Sequence, residues 1–491
     1  MRTLLIDLNN FSRYPTLSVG YLTAILRNAG HEVEVLSPLS FGVHGFPRQV
    51  REHPSQRYTR FLSHWSAVTT LKPVHTARSL LKRNRQIING QDAEIILEAV
   101  KISLTREPQV VLISAYTMYH EVCSAIAKLC REKNIPVIVG GNSFVVPEIA
   151  ERWAQVAGIS AVFSGEPEPI LLDLITKVTQ GEDVRHIPGV YDKQKCGDFS
   201  APPLRSLDDV PFPDFSDFPW NSYPNRIIPI MTGRGCEWGR CTFCSDVLTS
   251  AGRTFRSRSL DNVLQEIQYQ RARFGNDLFV FLDLKLNSDL PMWRGLAEHL
   301  PKIAPGIRWT ASVHVDSRQD NGLTAEDLQR AAQAGLVRIT CGLESGSQRV
   351  LSSMAKGVRL NRMSTFIKDA SAAGISVRLT GLLGYPSEET EDIEKTTDFI
   401  AEHRDYIERV TLHRFSLMPG VPVQDQLKKQ PETYPHIAVA NLDVDYAVIP
   451  HRNQRLAKTR NLIATYRLIR ITNQINCKPL LERAREFEGA F

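Results

Sequence analysis

From Ile227 to Phe415 the chain repeats one unit, a short apolar run followed by a stretch of helical periodicity. Ile227–Thr232, Leu278–Leu282, Ile307–Val313, Val337–Leu343, Ser376–Leu383 and Arg409–Phe415 read as strands. Met292–Leu300, Thr324–Ala334, Asn361–Ala373 and Glu391–Glu402 read as helices, with Thr324 as an N-cap. Each helix must carry the chain back to the start of the next strand, so the strands run parallel. About six repeats within roughly 190 residues fall short of a closed eight-fold barrel, so the expected form is a partial (β/α)6 barrel. Its chemistry belongs at the carboxyl ends of the strands.

The residues before it follow the same logic with a different outcome. Residues 3–8 (TLLIDL), the helix Ser18–Ala29 and the strand His31–Leu36 form a βαβ unit. Strands at Gln109–Ser114, Pro136–Gly140 and Ile159–Phe163 follow, with helices at His120–Lys133 and 169–178. Residues 38–108 interrupt this pattern, with helices expected near 76–87 and 92–104. The fold class is therefore α/β throughout. An N-terminal doubly wound parallel sheet spans 1–195, with its ligand expected at the carboxyl strand ends. Proline density (LDDVPFPDFSDFPW) makes 196–226 a linker. The partial barrel spans 227–420, and 421–491 is a short helical tail.

Gly233–Ser245 follows the first barrel strand and carries Cys236, Cys241 and Cys244, spaced Cys-x4-Cys-x2-Cys. Only eight cysteines occur in 491 residues, so three within nine are a designed cluster. No fourth cysteine or histidine stands nearby, whereas a structural zinc site normally has four protein ligands. Three thiolates suit a four-iron, four-sulfur cluster whose last iron keeps an open position. A zinc site and three inert buried cysteines are the alternatives.

The loop, with Phe243 before its last cysteine, resembles the radical S-adenosylmethionine (radical SAM) superfamily, although one residue longer between the first two cysteines than its commonest form. Gly342-Leu343-Glu344-Ser345-Gly346-Ser347 with Lys356-Gly357 resembles the family's fourth-strand motif. Gly384-x-Pro386-x-Glu388, then Glu391-Asp392 and Thr396, resembles its fifth. Arg253, Arg256 and Arg258 resemble the segment after the cluster loop. Pro15-x4-Gly20-Tyr21-Leu22, Gly140-Gly141 and Gly165-Glu166-x-Glu168 resemble the cobalamin-binding domain that precedes many such cores. The resemblance implies a 4Fe-4S cluster on Cys236, Cys241 and Cys244, S-adenosylmethionine on its open iron, and cobalamin in the first domain. A Rossmann-like domain that no longer binds cobalamin is the alternative there. No Asp-x-His-x-x-Gly occurs, so no histidine ligand to cobalt is implied.

The site residues follow from the strand ends. Phe243, Asp283, Ser312, Glu344 and Arg378 are the expected cofactor-binding residues; the resemblance implies Glu344 toward the ribose hydroxyls, and Arg378 could face the methionine carboxylate. A carboxylate suits a diol, and a guanidinium fork suits a carboxylate. His314 stands where the family often has an arginine. Cys341 is the candidate hydrogen donor, and His413 and Tyr385 are candidates to face substrate. The expected activity is reductive cleavage of S-adenosylmethionine and hydrogen abstraction from a small-molecule or peptide substrate, ending in cobalamin-dependent C-methylation. A redox-neutral epimerase or dehydratase, and a non-catalytic iron–sulfur protein, are the alternatives. The electron donor would be a flavodoxin or ferredoxin. A net charge of +6 with no basic stretch interleaved with aromatics gives no nucleic-acid footprint. No apolar run approaches ~18 residues, so no membrane span is expected. Few cysteines and no secretion signal point to the cytoplasm.

Overall fold

The computed structural model describes residues 1–45, 52–83, 88–194, 201–249, 252–316 and 322–490, together with Arg51. In the first domain the elements run β1 (Arg2–Asp7), α1 (Leu17–Asn28), β2 (Glu32–Leu36), α2 (Gln56–Val68), α3 (Lys72–Arg83), α4 (Gly90–Leu104), β3 (Val110–Ser114), α5 (His120–Glu132), β4 (Val137–Gly140), α6 (Pro147–Ala154), β5 (Ala161–Phe163), α7 (Leu171–Gln180) and β6 (Val190–Tyr191). The sheet order is β2-β1-β3-β4-β5-β6, parallel except for β6. The order reverses between β1 and β3, which marks the ligand crevice of an open α/β sheet. Alternation along each strand divides the side chains between two cores. Leu5, Leu112 and Ile138 pack on one face, and Leu4, Ile6, Val111 and Val139 on the other. On the second face α5 supplies Val122, Cys123, Ile126 and Cys130, one buried helical stripe.

Helix α2 has no counterpart in the sequence reading. It is polar overall, and its partner lies more than 400 positions away: Phe61 meets Tyr466 edge-on at 5.2 Å. Glu52, just before it, accepts from Asn473 (2.8 Å) and Asn476 (2.6 Å). Helix α3 ends where residues 84–87, the last part of the expected 76–87 helix, fall outside the described residues. The first part of the linker, 196–200, falls outside them too.

The second half runs β7 (Ile228–Ile230), β8 (Gly233–Gly235), β9 (Leu248–Thr249), β10 (Gly252–Arg253), β11 (Phe255–Ser257), α8 (Leu260–Phe274), β12 (Leu278–Phe281), α9 (Leu290–Ile303), β13 (Arg308–Val313), α10 (Ala325–Gln333), β14 (Leu336–Glu344), α11 (Gln348–Ser353), α12 (Leu360–Ala372), β15 (Ser376–Leu383), α13 (Thr390–Glu402) and β16 (Arg409–Arg414). Six of these strands form one all-parallel sheet in chain order, β7-β12-β13-β14-β15-β16, the partial barrel. Thr324 caps α10 in a full capping box with Asp327. The barrel's outer core is continuous with one face of the first sheet through linker Phe215, Phe218 and Tyr223. The last segment holds α14 (Pro422–Lys429), the antiparallel pair β17 (Ile437–Val439) and β18 (His451–Asn453), and α15 (Thr459–Asn476). No helix among the described residues is long and apolar enough to cross a membrane.

The chain's last residues close the amino end of the barrel. Ala484, Phe487 and Ala490 pack on Ile227, Leu278, Val280 and Val337. Beside them Glu488 binds Arg378 (2.7 Å) and Arg338 (3.3 Å), with Arg409 at 3.6 Å. The opposite, carboxyl end is left for chemistry.

At that end Gly384 turns with φ +86, and the buried Glu388 accepts its N–H at 2.6 Å. Burial pushes the Glu388 carboxyl up to about 8. A carboxyl whose folded pKa exceeds its unfolded one near 4.5 holds its proton longer in the fold. Stability from this group is therefore full below the unfolded value and falls as pH rises through 8. Glu388→Gln keeps an acceptor for Gly384 without the proton. Urea midpoints of the metal-free chain at pH 5 and pH 9 should show a smaller alkaline loss in the variant, about 1.4 kcal/mol for each unit of pKa separation at most.

Candidate active site

The cysteine loop is fastened at its root, its middle and its tip. At the root, Asp283 past the end of β12 accepts from Thr232 N (3.1 Å), Thr232 Oγ1 (2.7 Å) and Gly233 N (2.8 Å). Strand β8 then pairs antiparallel with β11, and β9 with β10, so the loop leaves and returns through two short ladders. Gly235 has φ +91, and a Cβ there would lie 1.9 Å from Thr254 O, so only glycine fits. In the middle, the Arg253 guanidinium donates to the carbonyls of Gly239 (2.6 Å), Cys241 (2.9 Å) and Cys244 (2.9 Å). At the tip, Trp238 donates to Ala355 O (2.8 Å) and Thr242 N to Met354 O (2.9 Å). Gly357 lacks a Cβ where one would strike the Trp238 ring at 2.3 Å.

Sequence reasoning placed Arg253 in the segment after the cluster loop but gave it no role. Its signal was only its place after the loop, since three carbonyls converge on it through folding. Arg253→Leu is expected to lower bound iron after reconstitution, with a cluster affinity about 10- to 100-fold weaker, as for other partners that orient metal ligands. Iron per chain, measured against Arg253→Lys, checks it.

Cys236, Cys241 and Cys244 are unpaired and partly exposed. Burial raises the Cys241 thiol and pushes Cys244 up to about 11. Such thiols become thiolates by binding metal, which releases their protons. No three His, Cys, Asp or Glu among the described residues converge on a single ion. A cubane takes one thiolate on each of three separate irons and does not need that convergence. The donor set therefore fits a cluster of this kind.

Above the loop lies the mouth of the lumen. Strand alternation gives it Thr310, Ser312 and then His314, with Thr340, Gly342 and Glu344 on β14 and Thr380 on β15. Glu344 takes φ +61, a left-handed backbone rare outside glycine, at a register shift of β14. Its Oε1 accepts from Lys356 Nζ (3.0 Å) and Thr380 Oγ1 (3.4 Å). A Cβ on Gly342 would lie 2.3 Å from that carboxylate and 2.7 Å from Lys356 Nζ, so the glycine makes room for the pair. Burial opposes the Lys356 charge, but Glu344 and the Cys241 and Cys244 sulfurs outweigh it and raise its pKa. Thr310 Oγ1, Thr340 Oγ1 and His314 Nε2 are buried without a protein partner. A polar ligand in the lumen fits these atoms. Next to His314, Lys285 and Asp316 form an ion pair of 2.7 Å with side chains 1% and 0% exposed, which the sequence reading did not single out.

Four expected site residues serve other ends. Asp283 holds the loop root through Thr232 and Gly233. Arg378 lies on the expected lumen face, two positions before Thr380, but at the wrong depth: it binds Glu488 at the amino end. Tyr385 is fully buried, its hydroxyl 2.8 Å from Thr242 Oγ1, so it braces the loop. Cys341 alternates with Gly342 and Glu344, and therefore points outward into the apolar core. Burial pushes its thiol up to about 12. Phe243 lies beneath Lys356 Nζ, 5.7 Å from its ring centroid, and edge-on to Tyr385. His413 is exposed on the open edge strand β16, paired in register with Leu382.

Between the loop and the first domain is a cavity of about 720 Å³. One wall is the carboxyl ends of β1, β3, β4 and β5, with Asn9, Ser114, Gly140, Gly141 and Gly165; the other is Arg234, Gly235 and 246–249 of the loop region. A Cβ on Gly140 would meet nothing within 4 Å, so its bare backbone faces open space. Among the described residues no histidine lines the cavity.

Residues 230–400 match the radical SAM superfamily. The chain is 26% identical to an uncharacterized methyltransferase of Pyrococcus horikoshii, over 64% of this chain and 69% of that protein. It is 26% identical to bacteriochlorophyllide d C-12(1)-methyltransferase of Chlorobaculum tepidum, over 65% and 66%. The chain thus spans about two thirds of these relatives. Among solved structures, the cobalamin- and [4Fe-4S]-bound methyltransferase TsrM from Kitasatospora setae aligns with TM-score 0.64 at 18% identity, over 90% of this chain and 81% of that one. The cobalamin-dependent enzyme OxsB, with aqua-cobalamin and S-adenosylmethionine bound, aligns with TM-score 0.66 at 17% identity, over 94% and 65%. Both likenesses are of fold.

Proposed function

We propose that this radical SAM enzyme, whose radical SAM domain occupies residues 230–400, is a cobalamin-dependent C-methyltransferase acting on a small organic or peptide substrate. The observation that carries the reading is the 720 Å³ cavity joining the strand ends of the first domain to the cysteine loop. Methyltransferase relatives and cobalamin-bound structures of the same fold support it. When bound, the cluster supplies the electron that cleaves S-adenosylmethionine, and cobalamin the methyl group. The chain's own part is positional. Cys236, Cys241 and Cys244 would hold the iron, with Arg253 and Asp283 fixing their loop. Glu344 would accept the ribose hydroxyls, with Lys356 Nζ donating to the same carboxylate at 3.0 Å. Ser312, Phe243, and the unpartnered Thr310, Thr340 and His314 would line the rest of the lumen. Gly140, where a Cβ would meet nothing within 4 Å, would leave backbone room for the corrin, while Gly141 and Gly165 let the loops beside it pack closely on Ala115 and Ala201. Thr411 and His413 on the open β16 edge would meet substrate. The outward-facing Cys341 argues against epimerisation by that thiol.

The test is anaerobic reconstitution with iron, sulfide and hydroxocobalamin, then addition of S-adenosylmethionine with reduced flavodoxin or ferredoxin. A bound corrin absorbance and 5′-deoxyadenosine are expected. No corrin band would sink the methyl-transfer reading, and no 5′-deoxyadenosine would sink radical cleavage.

A further inference from the structure

Four charged residues knot the two domains together beside the cysteine loop. Glu166, just past β5, accepts both terminal nitrogens of Arg256 on β11, at 2.8 and 2.6 Å. It also lies 3.3 Å from Arg234 and accepts Leu204 N of the linker at 2.7 Å. Glu168 binds Arg234 at 2.5 Å. Arg256 returns a bond to Leu204 O at 2.6 Å. The two arginines face each other in register across the β8–β11 ladder, and Arg234 stands two residues before Cys236. All four line the interdomain cavity. We propose that this knot is a positioning device: it sets the distance and angle between the occupant of the first domain and the cluster loop. The proposal rests on the reading that the cavity holds cobalamin.

The physical case is one of place and geometry. Two carboxylates and two guanidinium groups balance in charge, so the knot needs no outside counter-ion. Burial alone would raise Glu166, but Arg256, Arg234 and Leu204 N–H outweigh it and hold it below the ordinary glutamate range. Glu166 therefore stays charged between the two arginines. Exposed ion pairs contribute little, but a bidentate guanidinium–carboxylate contact fixes direction as well as distance. One half of this contact belongs to the strand end that lines the corrin space. The other half belongs to the ladder that delivers the thiols. A slip of ~1 Å between reacting groups can cost on the order of 100-fold in rate, so a group-transfer enzyme has reason to lock this joint.

The experiment compares wild type with Glu166→Gln, Arg256→Met and Arg256→Lys. Each is reconstituted with hydroxocobalamin, reduced to cob(II)alamin and the paramagnetic cluster. Pulsed EPR then reads the cobalt-to-cluster distance distribution. Wild type should give one sharp distance. Glu166→Gln and Arg256→Met should lose it to a broad distribution, and Arg256→Lys should recover part of the sharpness. A role in stability alone would lower the unfolding midpoint and leave the distribution sharp, and that result overturns the proposal. Glu166→Gln is nearly isosteric, so it stands if Arg256→Met fails to fold. Wild type that binds no cobalamin overturns the functional reading and this inference together. Binding with equally sharp distances in every variant overturns this inference alone.

Discussion

Cys244→Ala is expected to reconstitute without a stable four-iron cluster and to form no 5′-deoxyadenosine above background. Cys123→Ala, Cys130→Ala and Cys341→Ala are expected to keep both. The contrast lies in environment. Cys123, Cys130 and Cys341 are sealed in apolar cores, where burial pushes each thiol up, Cys130 and Cys341 to about 12. Such thiols behave as small hydrophobes. Cys244 is partly exposed, and its own carbonyl is held by Arg253, so its position is fixed for a ligand and not for packing. With Cys244 gone, two thiolates cannot hold a cubane that already lacks a fourth protein ligand. Iron and sulfide content together with the visible absorbance read the first loss, and chromatography of the nucleoside reads the second. If Cys341→Ala abolished 5′-deoxyadenosine while the cluster remained, the outward placement of that thiol would be wrong in its functional meaning.

The frame of the molecule was legible because its signals are local. Apolar runs and helical periodicity set the six barrel strands and the five parallel strands of the first sheet within a residue or two, missing only its two-residue antiparallel edge β6, and Thr324 capped where its side chain can accept from Asp327 N. The cysteines were legible by spacing, and Glu344 by motif. What the sequence hid depends on contacts between distant positions. Helix α2 is polar because its support is α15. The β8–β11 and β9–β10 ladders are too short to show a period. Arg378 illustrates the limit well. Alternation places it on the lumen face correctly, but depth along a strand is set by what the chain brings to each end, here Glu488 from 110 residues away. Tyr385 and Asp283 show a related limit: both contact the cluster loop, and a polar group at a strand end can brace the loop beside the ligand as readily as touch the ligand.

Glu344→Gln should separate the cluster from its cosubstrate. The side chain keeps its shape, so Gly342 still leaves it room and the loop contacts of Trp238 and Thr242 are untouched. Iron content and cluster absorbance are therefore expected at wild-type levels. What is lost is a carboxylate able to accept two hydroxyl donors at once. Hydrogen bonds to a charged acceptor contribute about 1.5–3 kcal/mol each, so one such loss should weaken S-adenosylmethionine binding roughly 10- to 100-fold. The backbone supports this assignment. A φ of +61 at a non-glycine residue costs of order 1–3 kcal/mol, and folds retain such strain mainly where it aims a functional group. Glu344→Asn then makes a second, opposite test. Asparagine tolerates the left-handed region better than glutamate, so the backbone gains. Its amide is one methylene too short to take the carboxylate's place, and Lys356 is left buried beside a neutral group. Binding should fall at least as far as in Glu344→Gln. The measurement is the dissociation constant of S-adenosylmethionine for the cluster-loaded protein, followed by the change it induces in the cluster's EPR signal. Equal affinity in wild type and Glu344→Gln would mean that the strained carboxylate serves only Lys356, and that the ribose is held elsewhere in the lumen.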